Sequence, residues 1–157
     1  MIGVIADDLT GAAEIGAIGL RHGLRAEIIR SGLPDAQSEL VCVDTDSRSC
    51  PPEIAAKNAA AAARLLKKAG ASWIYKKVDS VLRGQVTAEV EAVMQALQLK
   101  QALVLPANPS LGRIIRDGHY FVRGKPLHKT EFARDPEHPR RSSQVLRLLQ
   151  LPENFQM

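Results

Sequence analysis

Short apolar runs alternate with stretches of helical spacing along the first two thirds of the chain. Ile2–Ala6 is wholly apolar and is ended by two acids. Gly11–Leu20 then places small and apolar residues at helical spacing, before a glycine at 23 suited to stop a helix. Arg25–Arg30, with Ala26, Ile28 and Ile29, is a weaker strand, and Leu40–Val43 is another short run, ended by Asp44. Pro51-Pro52-Glu53 opens an alanine-rich helix to about Ala69, where proline suits the first turn and Gly70 the cap. Ser72–Val78 predicts a further strand, Thr87–Leu97 a helix with Val90, Val93, Met94 and Leu97 on one face, and Ala102–Leu105 a last apolar strand, ended by Pro106. Beyond it, glycines at 112, 118 and 124 with Pro109 and Pro126 predict turns and a hairpin around His119–Val122.

Strands separated by helices of this length pair in parallel through crossovers, and continuous rather than alternating apolar runs are buried on both faces. The pattern predicts an α/β fold, a Rossmann-like three-layer sandwich with a mostly parallel sheet, over residues 1–136. Residues 137–157 read as a basic linker or tail.

The 157 residues fit one domain. The formal charge of +4 is unevenly placed: residues 1–110 carry twelve basic and twelve acidic side chains, residues 111–157 nine and five. With aromatics at 4%, the basic-and-aromatic pattern of a nucleic-acid binder is missing. Cys42 and Cys50 make no disulfide framework and have no metal-ligand spacing, and Cys42 reads as a small core residue. The first residues lack a basic leader segment and no run approaches a membrane span, so a reduced cytoplasmic setting is expected. The four histidines, His22, His119, His128 and His138, show no ligand spacing and read as structural.

In an open parallel sheet, ligands bind beyond the carboxyl ends of the strands. Asp7, Asp8, Thr10 and Gly11 follow the first run; Asp44, Asp46, Ser47 and Arg48 the third; Lys76, Lys77, Asp79, Ser80, Arg83 and Gly84 the Trp73–Tyr75 run. One of the two first acids can serve as a helix cap, and Asp46 and Ser47 as turn residues. Lys76 and Lys77 point to opposite faces of their strand. Lys77 shares parity with Asp79 and is preferred for the site, which leaves Lys76 solvated or paired. Arg83-Gly84 at a helix start is expected to contact an anion through backbone N–H groups. Carboxylates accept hydrogen bonds from hydroxyls, while Arg and Lys take carboxylate or phosphate. Both together suit a small hydroxylated acid. No Walker loop or dinucleotide fingerprint occurs in the sequence.

Five segments in order carry a resemblance. They are Asp7-Asp8-Leu9-Thr10-Gly11-Ala12; Asp44-Thr45-Asp46-Ser47-Arg48; Tyr75 through Gly84; Pro106-Ala107-Asn108-Pro109 with Gly112-Arg113; and Gly124-Lys125-Pro126-Leu127 with Thr130 through Pro136. Together they resemble the N-terminal domain of the four-carbon acid sugar kinase family, from residue 2 to about residue 147. The resemblance implies an ATP-dependent kinase acting on threonate, erythronate or their 3-oxo forms. Its N-terminal domain holds the sugar acid, and a separate C-terminal domain holds ATP and magnesium. It places Asp8, Arg48 and the Lys77–Ser80 segment (Lys77, Val78, Asp79 and Ser80) at the substrate, and the strand-end reading adds Asp7, Asp44 and Arg83 to the site.

The expected mechanism has Arg48 and Lys77 clamping the substrate carboxylate, with Asp8 and Asp79 on its hydroxyls and one of the two accepting a proton. The sequence does not say which. The chain reads as the sugar-acid half alone, truncated and inactive by itself, with a basic tail facing a nucleotide-binding partner and loose packing from Pro136 onward. An uncovered apolar surface would favour a homodimer. Two other readings stand beside it. One is a sugar-acid-binding module without catalysis. The other is a magnesium-dependent phosphohydrolase, which wants Asp-x-Asp after the first strand where this chain has adjacent acids.

Overall fold

The computed structural model describes residues 1–151. Four parallel strands, β1 (Ile2–Ala6), β2 (Ala26–Ile29), β3 (Leu40–Asp44) and β4 (Trp73–Lys77), form one sheet in the order β2-β3-β1-β4. Helices α2 (Pro52–Lys68) and α3 (Val86–Leu97) pack on one face, where Ile5, Val41 and Val43 meet Ala59, Ala63, Leu66 and Val93. Helix α1 (Leu9–Arg21) packs on the other, where Val4, Ala6, Leu40 and Cys42 meet Ala12. The predicted three-layer α/β architecture is therefore present. β1 is central because Val4, Ile5 and Ala6 are apolar on both faces and all buried. Full burial of a side chain such as Ile5 or Leu66 contributes roughly 1.5–3 kcal/mol. Burial also pushes the Cys42 thiol up to about 11, as expected of an inert core cysteine.

The run Ala102–Leu105, predicted as a strand, is not one. No backbone hydrogen bond among the described residues holds 101–105, and Leu103 is 90% exposed. An apolar run becomes a strand only where its N–H and C=O groups find a ladder. Here the first anchored residue is Pro106, whose carbonyl accepts from Tyr120 Oη at 3.0 Å. β4 remains an edge strand, with Trp73 and Tyr75 exposed beside Ile2.

The hairpin expected near His119–Val122 is a three-stranded antiparallel meander, β5 (Arg113–Arg116), β6 (His119–Val122) and β7 (Lys125–Pro126). Its Tyr120 joins Val81, Leu82, Leu127, Val145 and Leu149 in a second core. Loose packing from Pro136 onward does not hold over 137–151. Tyr120 N donates to Ser143 O at 2.7 Å, Val145 N to Gly118 O at 2.9 Å, and the short helix α4 (Val145–Leu148) buries Val145. The spacing of Val145 and Leu149 puts two apolar side chains on one helical face, which fills the space beneath Tyr120. The last part of the predicted tail, 152–157, lies outside the described residues.

Candidate functional site

The register pairs Ala6 with both Asp44 and Lys77, so β1, β3 and β4 end at one level. Beyond β1 and β4 opens a cavity of about 350 Å³, walled by Asp8, Arg48, Lys77, Asp79, Arg83 and Arg113, with Val78, Ser80 and Asn108 also on its lining. Seven of the nine site residues read from the sequence thus meet in one place. Asp7 and Asp44 do not line it. Asp44 is buried, pairs with Arg30 Nε at 3.2 Å and accepts from Asp46 N at 3.0 Å.

Asp7 instead builds the frame. Its carboxylate takes the Arg48 fork, Nε at 2.8 Å and Nη2 at 3.0 Å, and its carbonyl accepts from Ser47 N and Arg48 N. Asp8 caps α1: Oδ1 accepts from Gly11 N at 2.8 Å, while Oδ2 meets Arg48 Nη1 at 2.7 Å. Asp79 lies 3.7 Å from Arg48 Nη2, so three carboxylates surround one guanidinium. Burial disfavours the charge on Arg48, but the Asp7 bond and the charges of Asp7, Asp79 and Asp8 outweigh that and raise its pKa.

Asp79 is held hardest. It accepts from the backbone N–H groups of Val81 and Arg83 and from Arg83 Nε and Nη2, at 2.8 to 3.1 Å. Burial alone would raise this carboxyl, yet those hydrogen bonds and the Arg83 charge hold it down at about 2. Arg83-Gly84 is not the helix start that the sequence predicts. α3 begins at Val86, and the Arg83 N–H is spent on Asp79. Arg83 also reaches Asp135 at 3.0 Å. Gly84 follows at φ +81, where a Cβ would stand 3.3 Å from Asp7 Oδ2 and 3.4 Å from Arg48 Cγ, so both the backbone angle and the close approach demand glycine. Leu82, buried at φ +62, is a left-handed non-glycine residue in the same loop. The loop is pinned by Tyr120 Oη donating to Ser80 O and by Arg140 Nη1 donating to Leu82 O at 2.7 Å.

The two lysines part as expected. Lys77 faces the cavity, with Nζ 3.1 Å from Glu14 and donating to Val78 O. Lys76 enters the opposite layer, where it pairs at 2.9 Å with Glu89, a carboxylate 1% exposed. Glu89 also accepts from the buried Ser47 hydroxyl, which touches Thr45 Oγ1 at 2.7 Å. Sequence reasoning missed this network. Its signal was an acid on the apolar stripe of α3, in step with Val86, Val90 and Val93. It also missed Arg113 as a wall of the cavity, and Asp135 and Tyr120 as supports. His119 pairs with Ser143 Oγ through Nδ1, and no histidine lines the cavity.

A family described as sugar-binding N-terminal domain matches residues 2–154. D-threonate kinase of Salmonella typhimurium is 38% identical over 94% of this chain and 36% of its own length. D-erythronate kinase of Heliobacterium modesticaldum is 36% identical over 87% of this chain and 32% of its own. The chain therefore spans about a third of the length of these relatives. A crystal structure of a domain of unknown function from Bordetella bronchiseptica, a domain-swapped dimer with bound citrate, superposes with a TM-score of 0.84 at 35% identity, over 95% of this chain and 39% of that one.

Proposed function

The chain belongs to the family of sugar-binding N-terminal domains, and from that premise we propose that it is the part of a four-carbon acid sugar kinase that holds the sugar acid. The observation that carries this reading is the cavity where Asp8, Arg48, Lys77, Asp79 and Arg83 converge beyond two parallel strands. The relatives' names, D-threonate kinase and D-erythronate kinase, support the substrate class.

Asp8 is the proposed proton acceptor for the substrate hydroxyl. Its carboxylate lines the cavity, and among the described residues its partners are Gly11 N and Arg48. Asp79, saturated by four donors and held near 2, is a weak base at neutral pH and serves instead to orient the 79–84 loop. Arg48 and Asp7 fix the distance between the two strand ends. Lys77 and Ser80 supply further polar contacts to the ligand.

ATP and magnesium are implied by the relatives' kinase names; the sequence holds no Walker loop for the nucleotide, and the carboxylates here do not suit the metal. Asp7 and Asp79 are spent on arginines, and among the described residues no His, Cys, Asp or Glu cluster suits a metal ion. The nucleotide is therefore proposed to be held outside this domain, and the chain by itself to bind without transferring phosphate. No helix among the described residues is long and apolar enough to cross a membrane. The exposed Trp73 and Tyr75 on β4 support self-association through this edge, and the Bordetella bronchiseptica structure is itself a dimer, though a domain-swapped one.

Titration calorimetry with D-threonate, D-erythronate and the 3-oxo acid tests the reading. Saturable binding of at least one acid is expected, with Asp8→Asn weakening it by about 10-fold for one lost charge-assisted hydrogen bond. Absence of binding of all three acids to the wild type overturns it, and turnover in an ATP-coupled assay by this chain alone overturns the binding-only part.

A further inference from the structure

Four cations wall the cavity, and their partners differ. Arg48 is engaged by Asp7, Asp8 and Asp79, Arg83 by Asp79 and Asp135, and Lys77 by Glu14. Each of these charges is already answered by carboxylates of the chain. An anion entering from solvent would compete with an intact ion pair to reach it. Arg113 is different. Among the described residues it makes no ion pair, and its Nε is buried without a hydrogen-bond partner. A buried N–H left unpaired is costly, and a guanidinium that lines the cavity with no carboxylate partner among the described residues leaves its charge to be met by an anionic ligand.

The backbone sets Arg113 there firmly. Arg113 N donates to Asn108 O at 3.0 Å and Asn108 N to Arg113 O at 2.8 Å, which closes the 108–113 turn onto the start of β5. Gly112, at φ +68, lies against Arg123, where a Cβ would come within 3.1 Å of Cγ, so the turn has little room to swing. Asn108 lines the cavity beside Arg113 and adds an amide to the same wall. The Arg113 charge also bears on Tyr120, the residue that ties Ser80 to Pro106 across the cavity. A planar guanidinium matches a carboxylate by two parallel hydrogen bonds.

We propose that Arg113 is the residue that recognises the carboxylate of the ligand, and so makes the cavity select a sugar acid over the neutral sugar alcohol of the same length. The assignment rests on the sugar-acid reading of the cavity. It moves the carboxylate away from Arg48 and Lys77, which the sequence favoured, to the 106–113 segment of the lining. The hydroxyl end is then left to the other polar groups of the lining, Asp8 among them.

Calorimetry on the full 157-residue chain, with D-threonate and with threitol at fixed ionic strength, tests it in Arg113→Met and Arg113→Lys. The methionine variant is expected to melt within a degree or two of wild type and to bind threonate about 10- to 100-fold more weakly, the range of a charge-assisted bidentate contact. The lysine variant is expected to regain part of the loss, and any threitol binding to be unchanged in both. A methionine variant that melts as wild type and binds threonate within threefold of it overturns the assignment. So does equal weakening toward threonate and threitol, or a lowered melting temperature that accounts for the loss. Wild-type protein that binds no sugar acid overturns the underlying reading instead.

Discussion

The floor of the cavity and its roof are built on opposite electrostatic plans. The floor, from the ends of β1, β3 and β4, is a closed network in which Arg48 and Arg83 are shared among Asp7, Asp8, Asp79 and Asp135. The roof, from Pro106 to Arg113, carries one guanidinium with an unanswered N–H and an apolar lead-in that stands in solvent. Removing one member from a closed network leaves uncompensated charge at partial burial. Removing an unanswered group costs the fold little and is felt by the ligand. Charge density alone would rank the floor as the binding surface, whereas counting partners assigns it the scaffold.

Arg48→Ala is the strongest way to break this contrast. It leaves Asp7, Asp8 and Asp79 together without their common counter-charge, and Asp7 is almost wholly buried. A loss of roughly 3–5 kcal/mol is expected in urea unfolding, the range for a buried pair stripped of one partner. A variant as stable as wild type would mean that the floor is not a scaffold.

Asp79→Asn comes next. The folded carboxyl is held at about 2 against an ordinary value of 3.8. A depressed carboxyl contributes stability that is complete above its unfolded value and is lost as pH falls through its folded one. The substitution is therefore expected to cost about 2 kcal/mol at pH 7 and roughly half of that by pH 3. Unfolding curves at several pH values measure the gap between variant and wild type. A gap that stays constant down to pH 3 would assign the loss to shape rather than charge.

Of the floor residues, Asp7, Asp8, Arg48, Asp79 and Arg83 were legible in the sequence because the strand-end rule needs only the position of an apolar run and the residues directly after it, whereas Asp135 follows no strand of the sheet. Strand parity likewise separated Lys77 from Lys76 without any coordinates. Saturation was not legible: whether Arg48 is free for a ligand depends on where Asp7 and Asp79 sit in space, and those lie 41 and 31 positions away along the chain. Arg113 was hidden for the converse reason, since its meaning comes from the lack of a partner. The 137–151 segment looked like a tail because Val145 and Leu149 are too few to announce a core until Tyr120 is brought over them.

The smallest expected effect sharpens the contrast at the roof. Ala102–Leu105 has the composition of β1, yet Leu103 is 90% exposed and Leu105 74%, whereas Ile5 is wholly buried. A side chain already in water in the folded state loses no burial when it is shortened and made polar, so Leu103→Ser is expected to change stability by less than about 0.5 kcal/mol. Ile5→Ser, in contrast, removes a packed side chain and buries an unpaired hydroxyl. Thermal melts of the Leu103 variant at two protein concentrations give the informative comparison. No change at either concentration places the run in solvent. A loss of about 2 kcal/mol or more, growing with protein concentration, would show the run to be covered by a second copy along the exposed β4 edge, because association stabilises by mass action and only a covered leucine would weaken it.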